Sequence, residues 1–151
     1  MALSPQISGQ KKTVLVIDDD KWLHTIVNRF LLNFGFNTLN AYDPIDGLNK
    51  AINSKPELIL LDIILPDFRG DFLLKLFKRL DITTHIPVII MSSNMSLEIL
   101  ATTYKDGAGG FISKPITEQL LLDKINEVLQ IKKVQDVKEI VSGPSEKRFR
   151  L

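Results

Sequence analysis

Five side chains carry the chemistry open to this chain: Asp18, Asp19, Asp62, Ser92 and Lys114. Three carboxylates gathered in one crevice repel one another and call for a cation. Oxygen ligands without Cys or a paired His select a hard ion, Mg²⁺ first. The Lys114 ammonium is a compact, mobile charge suited to a phosphate oxygen. The Ser92 hydroxyl can donate to another such oxygen. Carboxylate, divalent ion, ammonium and hydroxyl are the parts that phosphoryl transfer requires. Asp62 can be the nucleophile, taking up the phosphoryl group as an acyl phosphate.

These residues meet only if the elements before them bring their ends together. Asp62 closes the run Leu58-Ile59-Leu60-Leu61, bounded by Lys55-Pro56 and by Leu65-Pro66-Asp67. Such a run reads as a strand buried on both faces. Taken alone, Asp62 fits a reactive group and a turn cap equally well. Thr13-Val14-Leu15-Val16-Ile17 ends in Asp18-Asp19-Asp20, and Ile86-Pro87-Val88-Ile89-Ile90-Met91 ends in Ser92. Gly110-Phe111-Ile112-Ser113 is closed by Lys114-Pro115, and a weaker strand spans residues 36–41.

Five helical patterns alternate with these strands. Leu23, Ile26, Val27, Phe30, Leu31 and Phe34 recur at three and four after a capping Asp20, and Gly35 closes the helix. Asp43-Pro44 opens a second helix with Ile45, Leu48 and Ile52 as its stripe. Asp71 leads a third, with Phe72, Leu73, Leu76, Phe77 and Leu80 inward; a fourth runs from about Ser96 to Asp106. Thr117 starts the fifth, with Leu121, Leu122, Ile125, Val128 and Leu129. The expected class is α/β: a flavodoxin-like, doubly wound, five-stranded parallel sheet of order 2-1-3-4-5 with five helices. Ligands of such sheets bind at the switch point, here between the strands ending in Asp18-Asp19 and in Asp62.

A length of 151 residues with 44% apolar residues fits one domain with short extensions. Net charge of +1 supplies no field toward nucleic acid or a membrane. Absence of cysteine excludes a disulfide framework and a thiolate metal site, and agrees with a cytoplasmic setting. No apolar run approaches the ~20 residues needed to span a bilayer. Residues 1–11 read as a flexible leader, 12–130 as the domain, and 131–151 as a helical extension and flexible tail. Ile131, Val134, Val137 and Val141 carry the fifth helix to about Val141, where Gly143-Pro144 should stop it.

The ordered set Asp18-Asp19, Asp62, Pro66, Gly70, Ser92, Gly107-Ala108, Phe111 and Lys114-Pro115 resembles the receiver domain of two-component response regulators. The likeness covers residues 12–130. It implies Asp62 as phosphoacceptor, accepting from a histidine kinase or phosphotransfer protein, with Lys114 and Ser92 on the phosphoryl oxygens. It implies Mg²⁺ held by Asp18, Asp19, Asp62 and the backbone carbonyl of Ile64, and a cis peptide bond at Lys114-Pro115. Ser92 and Phe111 would be the switch pair. They would re-pose the face made by the fourth helix, fifth strand and fifth helix, for a downstream target or a homodimer. No nucleic-acid or membrane partner is implied.

The chain departs from the family pattern at three places: Phe111 stands where Tyr is common, Ser92 where Thr is commoner, and Ile64 where a polar residue is frequent. Ile64 and Asn94, two residues past Ser92, flank the path of the water that would hydrolyse the acyl phosphate. Apolar Ile64 orients no water, so a long-lived phosphorylated state is expected. A Mg²⁺-dependent phosphatase with an Asp nucleophile would place a second Asp at position 64. A receiver-like interaction module working without phosphate remains the alternative, although such a module has no need of the full acidic, hydroxyl and lysine set. Gly107-Ala108-Gly109-Gly110 lacks the dinucleotide-binding order and precedes a strand. His24 and His85 lack partners at ligand spacing and are read as solvated or satisfied, while Trp22 stands beside the acidic pocket.

Overall fold

Strands that must be buried on both faces need continuous apolar sequence, and three segments supply it: TVLVI, LILLD and VIIMS. A computed structural model describes residue 9 and residues 11–65 and 68–147. Most of the leader, Pro66 with Asp67, and residues 148–151 lie outside the described residues. The elements run β1 (Thr13–Ile17), α1 (Lys21–Asn33), β2 (Asn37–Ala41), α2 (Pro44–Ser54), β3 (Leu58–Asp62), β4 (Ile64–Leu65), β5 (Phe68–Arg69), α3 (Gly70–Arg79), β6 (Val88–Ser92), α4 (Leu97–Lys105), β7 (Gly110–Ser113) and α5 (Glu118–Lys147). The main sheet is parallel throughout, in the order β2-β1-β3-β6-β7. Without the small β4-β5 hairpin this is the expected 2-1-3-4-5 order.

Alternation along the strands separates two cores. Leu15, Ile17, Ile59 and Leu61 face α2, α3 and α4 with Ala51, Leu73, Leu74 and Phe77. Val14, Val16, Leu58 and Leu60 face α1 and α5 with Val27, Leu31, Leu121 and Ile125. Asp20 and Asp43 cap α1 and α2 as the sequence predicts, and Ser96 caps α4. Asp20 accepts from the Trp22 N–H at 2.9 Å, Asp43 from the Asp46 N–H at 2.8 Å and Ser96 from the Ile99 N–H at 3.2 Å. Gly35 has φ +86°, a conformation that favours glycine.

Four expectations need correction. Ile64–Leu65 and Phe68–Arg69 pair as short antiparallel strands where the sequence suggests a loop over residues 66–70, and α3 begins at Gly70, one residue before the Asp71 expected to lead it. The Gly70 N–H donates to the Ile63 carbonyl at 2.8 Å, so backbone does the capping, while Asp71 pairs with Arg69 at 3.0 Å. Phe72, Ile45 and Ile26 face outward. On α3 the inward arc is already filled by Leu73, Leu74 and Phe77. On α2, Gly47 and Ala51 let the helix approach β1 so closely that a Cβ at 47 would stand 2.8 Å from Ile17 Cδ1. That rotation turns Ile45 to the surface. Finally, α5 runs through Gly143-Pro144 to Lys147. Proline removes one helical N–H yet keeps a φ close to the helical value, so it does not oblige the helix to end there.

Candidate functional site

The site is assembled where β1, β3, β6 and β7 end. Hydrogen bonding at the tip of β1 fixes Asp18 through every polar group it has. Its N–H donates to the Ala41 carbonyl at 3.1 Å. Its Oδ1 accepts from the Asp20 N–H at 2.9 Å, and its Oδ2 from Lys114 Nζ at 2.8 Å. Its carbonyl accepts from His24 Nε2 at 2.7 Å. Asp62, buried at the tip of β3, accepts at Oδ1 from the Ile64 N–H at 3.0 Å and at Oδ2 from Lys114 Nζ at 3.2 Å. Asp19 is exposed. One carboxylate oxygen each from Asp18, Asp19 and Asp62 lie within 4.8 Å of one another. This all-oxygen donor set fits a hard divalent ion such as Mg²⁺.

Burial raises the Asp62 carboxyl above its ordinary value; the Ile64 N–H opposes this, Asp18 adds to it, and Lys114 opposes it. Burial alone would lower the Lys114 ammonium. The hydrogen bond and charge of Asp18, followed by those of Asp62, outweigh it, so Lys114 is held above its ordinary value. Lys114 thus stays charged and neutralises two buried carboxylates.

Ser92 is buried at the end of β6, the strand beside β3, and its hydroxyl donates to the Asn94 carbonyl at 3.1 Å. The Lys114 N–H donates to the Ser92 carbonyl at 2.9 Å, tying the two strand ends together. The Lys114-Pro115 peptide bond is cis. Phe111 packs half-buried against the α3-side core. Ile64 is exposed beside Asp62, its side chain offering no polar atom. Gly70 is required for this geometry: a Cβ there would stand 2.7 Å from Ile63 Cα and would collide with the Asp62 carbonyl oxygen.

Sequence reasoning read His24 as solvated or satisfied and assigned it no role; it is satisfied, and it also holds the tip of β1. The ring is buried, clamps Asp18 through Nε2, meets the Asn40 side-chain amide at 2.6 Å through Nδ1, and lies 4.4 Å from the Tyr42 ring. A signal was available: His24, Val27 and Leu31 share the inward stripe of α1. His85 shows no comparable set of contacts. Trp22 is 76% exposed beside Lys114 and Pro115.

Residues 14–126 match the family of response regulator receiver domains. The chain belongs to that family. This receiver is 34% identical over 131 residues to the 3′,5′-cyclic-nucleotide phosphodiesterase regA of Dictyostelium discoideum, covering 84% of this chain and 16% of that protein. It is 35% identical over 116 residues to the DNA-binding transcriptional regulator NtrC of Proteus hauseri, covering 75% of this chain and 24% of that one. The receiver thus spans a quarter or less of either relative. Among solved structures it resembles the CheY-like response regulator receiver domain protein of Methanospirillum hungatei, with a TM-score of 0.78 and 30% identity, covering 83% and 99% of the two chains. Receiver domains are phosphoacceptors that bind Mg²⁺ through an acidic cluster, and they occur in kinases and transcriptional regulators alike. No helix among the described residues is long and apolar enough to cross a membrane.

Proposed function

We propose that Asp62 accepts a phosphoryl group from the phosphohistidine of a histidine kinase or phosphotransfer protein, and that this switches a partner-binding face. One observation carries the reading: Lys114 Nζ stands between Asp18 Oδ2 and Asp62 Oδ2, at 2.8 and 3.2 Å. An ammonium shared in this way can shift to an incoming phosphoryl oxygen without leaving the pocket. In the transfer, an oxygen of Asp62 forms the new O–P bond as the donor's N–P bond breaks, and the imidazole leaves. Mg²⁺, held by Asp18, Asp19, Asp62 and the Ile64 carbonyl, would supply charge stabilisation for the phosphoryl oxygens.

Ser92 then exchanges its Asn94 partner for a phosphoryl oxygen, and the half-buried ring of Phe111 turns in behind it. Those movements re-pose the face of α4, β7 and α5, where Leu97 and Tyr104 are exposed. A downstream protein or a second copy would read that face. The working unit is taken as residues 12–130 with 131–151 as its extension, and the setting as cytoplasmic. The protein is a phosphoacceptor with self-catalysed phosphorylation and dephosphorylation, not a turnover enzyme.

Incubation with Mg²⁺ and acetyl phosphate, read by intact-protein mass spectrometry, tests this. Expected is one added phosphoryl group on the wild type and none on Asp62→Ala. Incorporation that survives Asp62→Ala, or none in the wild type, defeats the reading. Release of phosphate from many esters would point to a phosphatase instead.

A further inference from the structure

Phe72 faces outward against the sequence expectation, 56% exposed, and it does not stand alone. The Phe68 ring meets it edge-on, with centroids 6.1 Å apart, and Leu76 follows one helical turn later. Arg69, Lys75 and Arg79 rim this apolar floor, and together the six residues line a groove of about 760 Å³. Lys75 Nζ lies 5.7 Å from the centre of the Phe72 ring, which places a cation over the aromatic floor.

The charge is one-sided. No acidic residue lines the groove among the described residues. The carboxylates that pair with Arg69 and Lys75, Asp71 and Asp106, are themselves largely buried. Phe72, Lys75, Leu76 and Arg79 lie at spacings of three and four along one face of α3, and β5 walls one end with Phe68 and Arg69. Alternating apolar and cationic positions at helical spacing complement a helix with an apolar stripe flanked by acids.

We propose that this groove docks an acidic amphipathic segment of another protein, with apolar anchors at i, i+3 or i+4 and i+7 and Asp or Glu beside them. The groove's lining shares no residue with α4, β7 or α5 and uses none of the phosphoryl-transfer residues, so it stands or falls independently of that chemistry.

A random 16-residue peptide library displayed on phage tests it, panned on the full chain with counter-selection on Phe72→Ser. The wild type should enrich acidic sequences carrying that apolar spacing. Their synthetic peptides should lose at least tenfold in affinity for Phe72→Ser and for Arg79→Glu. Circular dichroism and phosphorylation by acetyl phosphate should be unchanged in both variants, since the altered side chains are exposed or rim the groove. Peptides without acidic bias, or with equal affinity for wild type and variants, overturn the proposal. So does wild-type binding to phosphatidylserine vesicles that Phe72→Ser abolishes while no acidic peptide is enriched, because the face would then be a lipid surface.

Discussion

The tips of β1 and β3 carry chemically identical carboxylates in unlike settings. At β1, the Asp18 side chain and backbone are both fully engaged, by Asp20, Lys114, Ala41 and His24. At β3, the Asp62 side chain has the same kinds of partner, the Ile64 N–H and Lys114, but the Lys114 contact is longer, at 3.2 Å against 2.8 Å, and burial holds its carboxyl raised. The buried His24 bond to the Asp18 carbonyl adds a hold on the backbone of the β1 tip. A buried carboxylate with an unevenly shared cation can exchange that partner for another oxygen. The difference teaches that two carboxylates at one switch point can share a cation unequally, the β1 tip holding it closer and the β3 tip more loosely.

Lys114 joins the two tips, so removing it should break both at once, and its effect is the largest expected. Lys114→Ala leaves Asp18 and Asp62 facing one another, both buried, with no ammonium between them. Loss of one partner from such a buried ionic set costs about 3–5 kcal/mol. Phosphorylation by acetyl phosphate should fall on the order of 10²-fold or more, as expected when a preorganised donor to a developing charge is lost. Urea titration in chelator and single-turnover mass spectrometry measure the two effects. Near-wild-type rates would show that the shared ammonium is a structural feature only.

His24→Leu strikes the β1 tip alone. It strips the Asp18 carbonyl and the Asn40 amide of a buried partner, and an orphaned buried acceptor costs about 1–3 kcal/mol. Stability in urea should drop by that amount. His24→Gln, which keeps a donor, should recover part of it. Mg²⁺ titration followed by Trp22 fluorescence should show weaker binding in the Leu variant, because Asp18 and Asp19 share the peptide that His24 steadies. Equal stability of all three proteins would mean that Ala41 and Asp20 suffice to hold the tip.

Much of this contrast was legible in the sequence, and the illegible part has a physical cause. Strand ends could be read because uninterrupted apolar runs such as LILL stop at a polar residue, which put Asp18, Asp62, Ser92 and Lys114 at one edge. Which way a helix faces could be read less well. Apolar periodicity marks an arc wider than the buried one, so Ile26, Ile45 and Phe72 counted as inward although Val27, Ala51 and Leu73 took those places. The burial of His24 could have been read from its place on the inward stripe of α1, but its contact with a backbone carbonyl leaves no residue-type signature. The pairing of Ile64–Leu65 with Phe68–Arg69 escaped notice because two residues per strand are too few to set a period.

The raised carboxyl at β3 makes a prediction about pH. A folded state that raises Asp62 above its ordinary value of 3.8 binds that proton more tightly than the unfolded chain does. The associated stability is present below 3.8 and is lost as pH rises through the raised value. At neutral pH in chelator, Asp62→Asn should therefore melt at a higher temperature than the wild type. That advantage should shrink as the pH falls through the raised value and be gone below the ordinary carboxylate value of 3.8. A wild type that is the more stable protein at pH 7 without metal would reverse the assignment and make Asp62 a stabilising charge like its neighbour.

The smallest effect concerns what stands over the β3 tip. Ile64 is 61% exposed beside Asp62 and gives the approach to it an apolar wall. Hydrolysis of an acyl phosphate needs a water held on the side opposite the Asp62 oxygen, and a methyl-rich surface offers such a water no partner. Ile64→Asn supplies an amide at that place, so loss of the phosphoryl group should quicken by a few-fold, within about 1 kcal/mol of barrier. The substitution should leave stability almost unchanged, since the side chain buries little. Decay of the phosphorylated species by mass spectrometry, at fixed Mg²⁺, gives the rate directly. Slower decay in the Asn variant would mean that access, and not the holding of water, sets the lifetime, and the β3 tip would then be guarded by shape instead of by polarity.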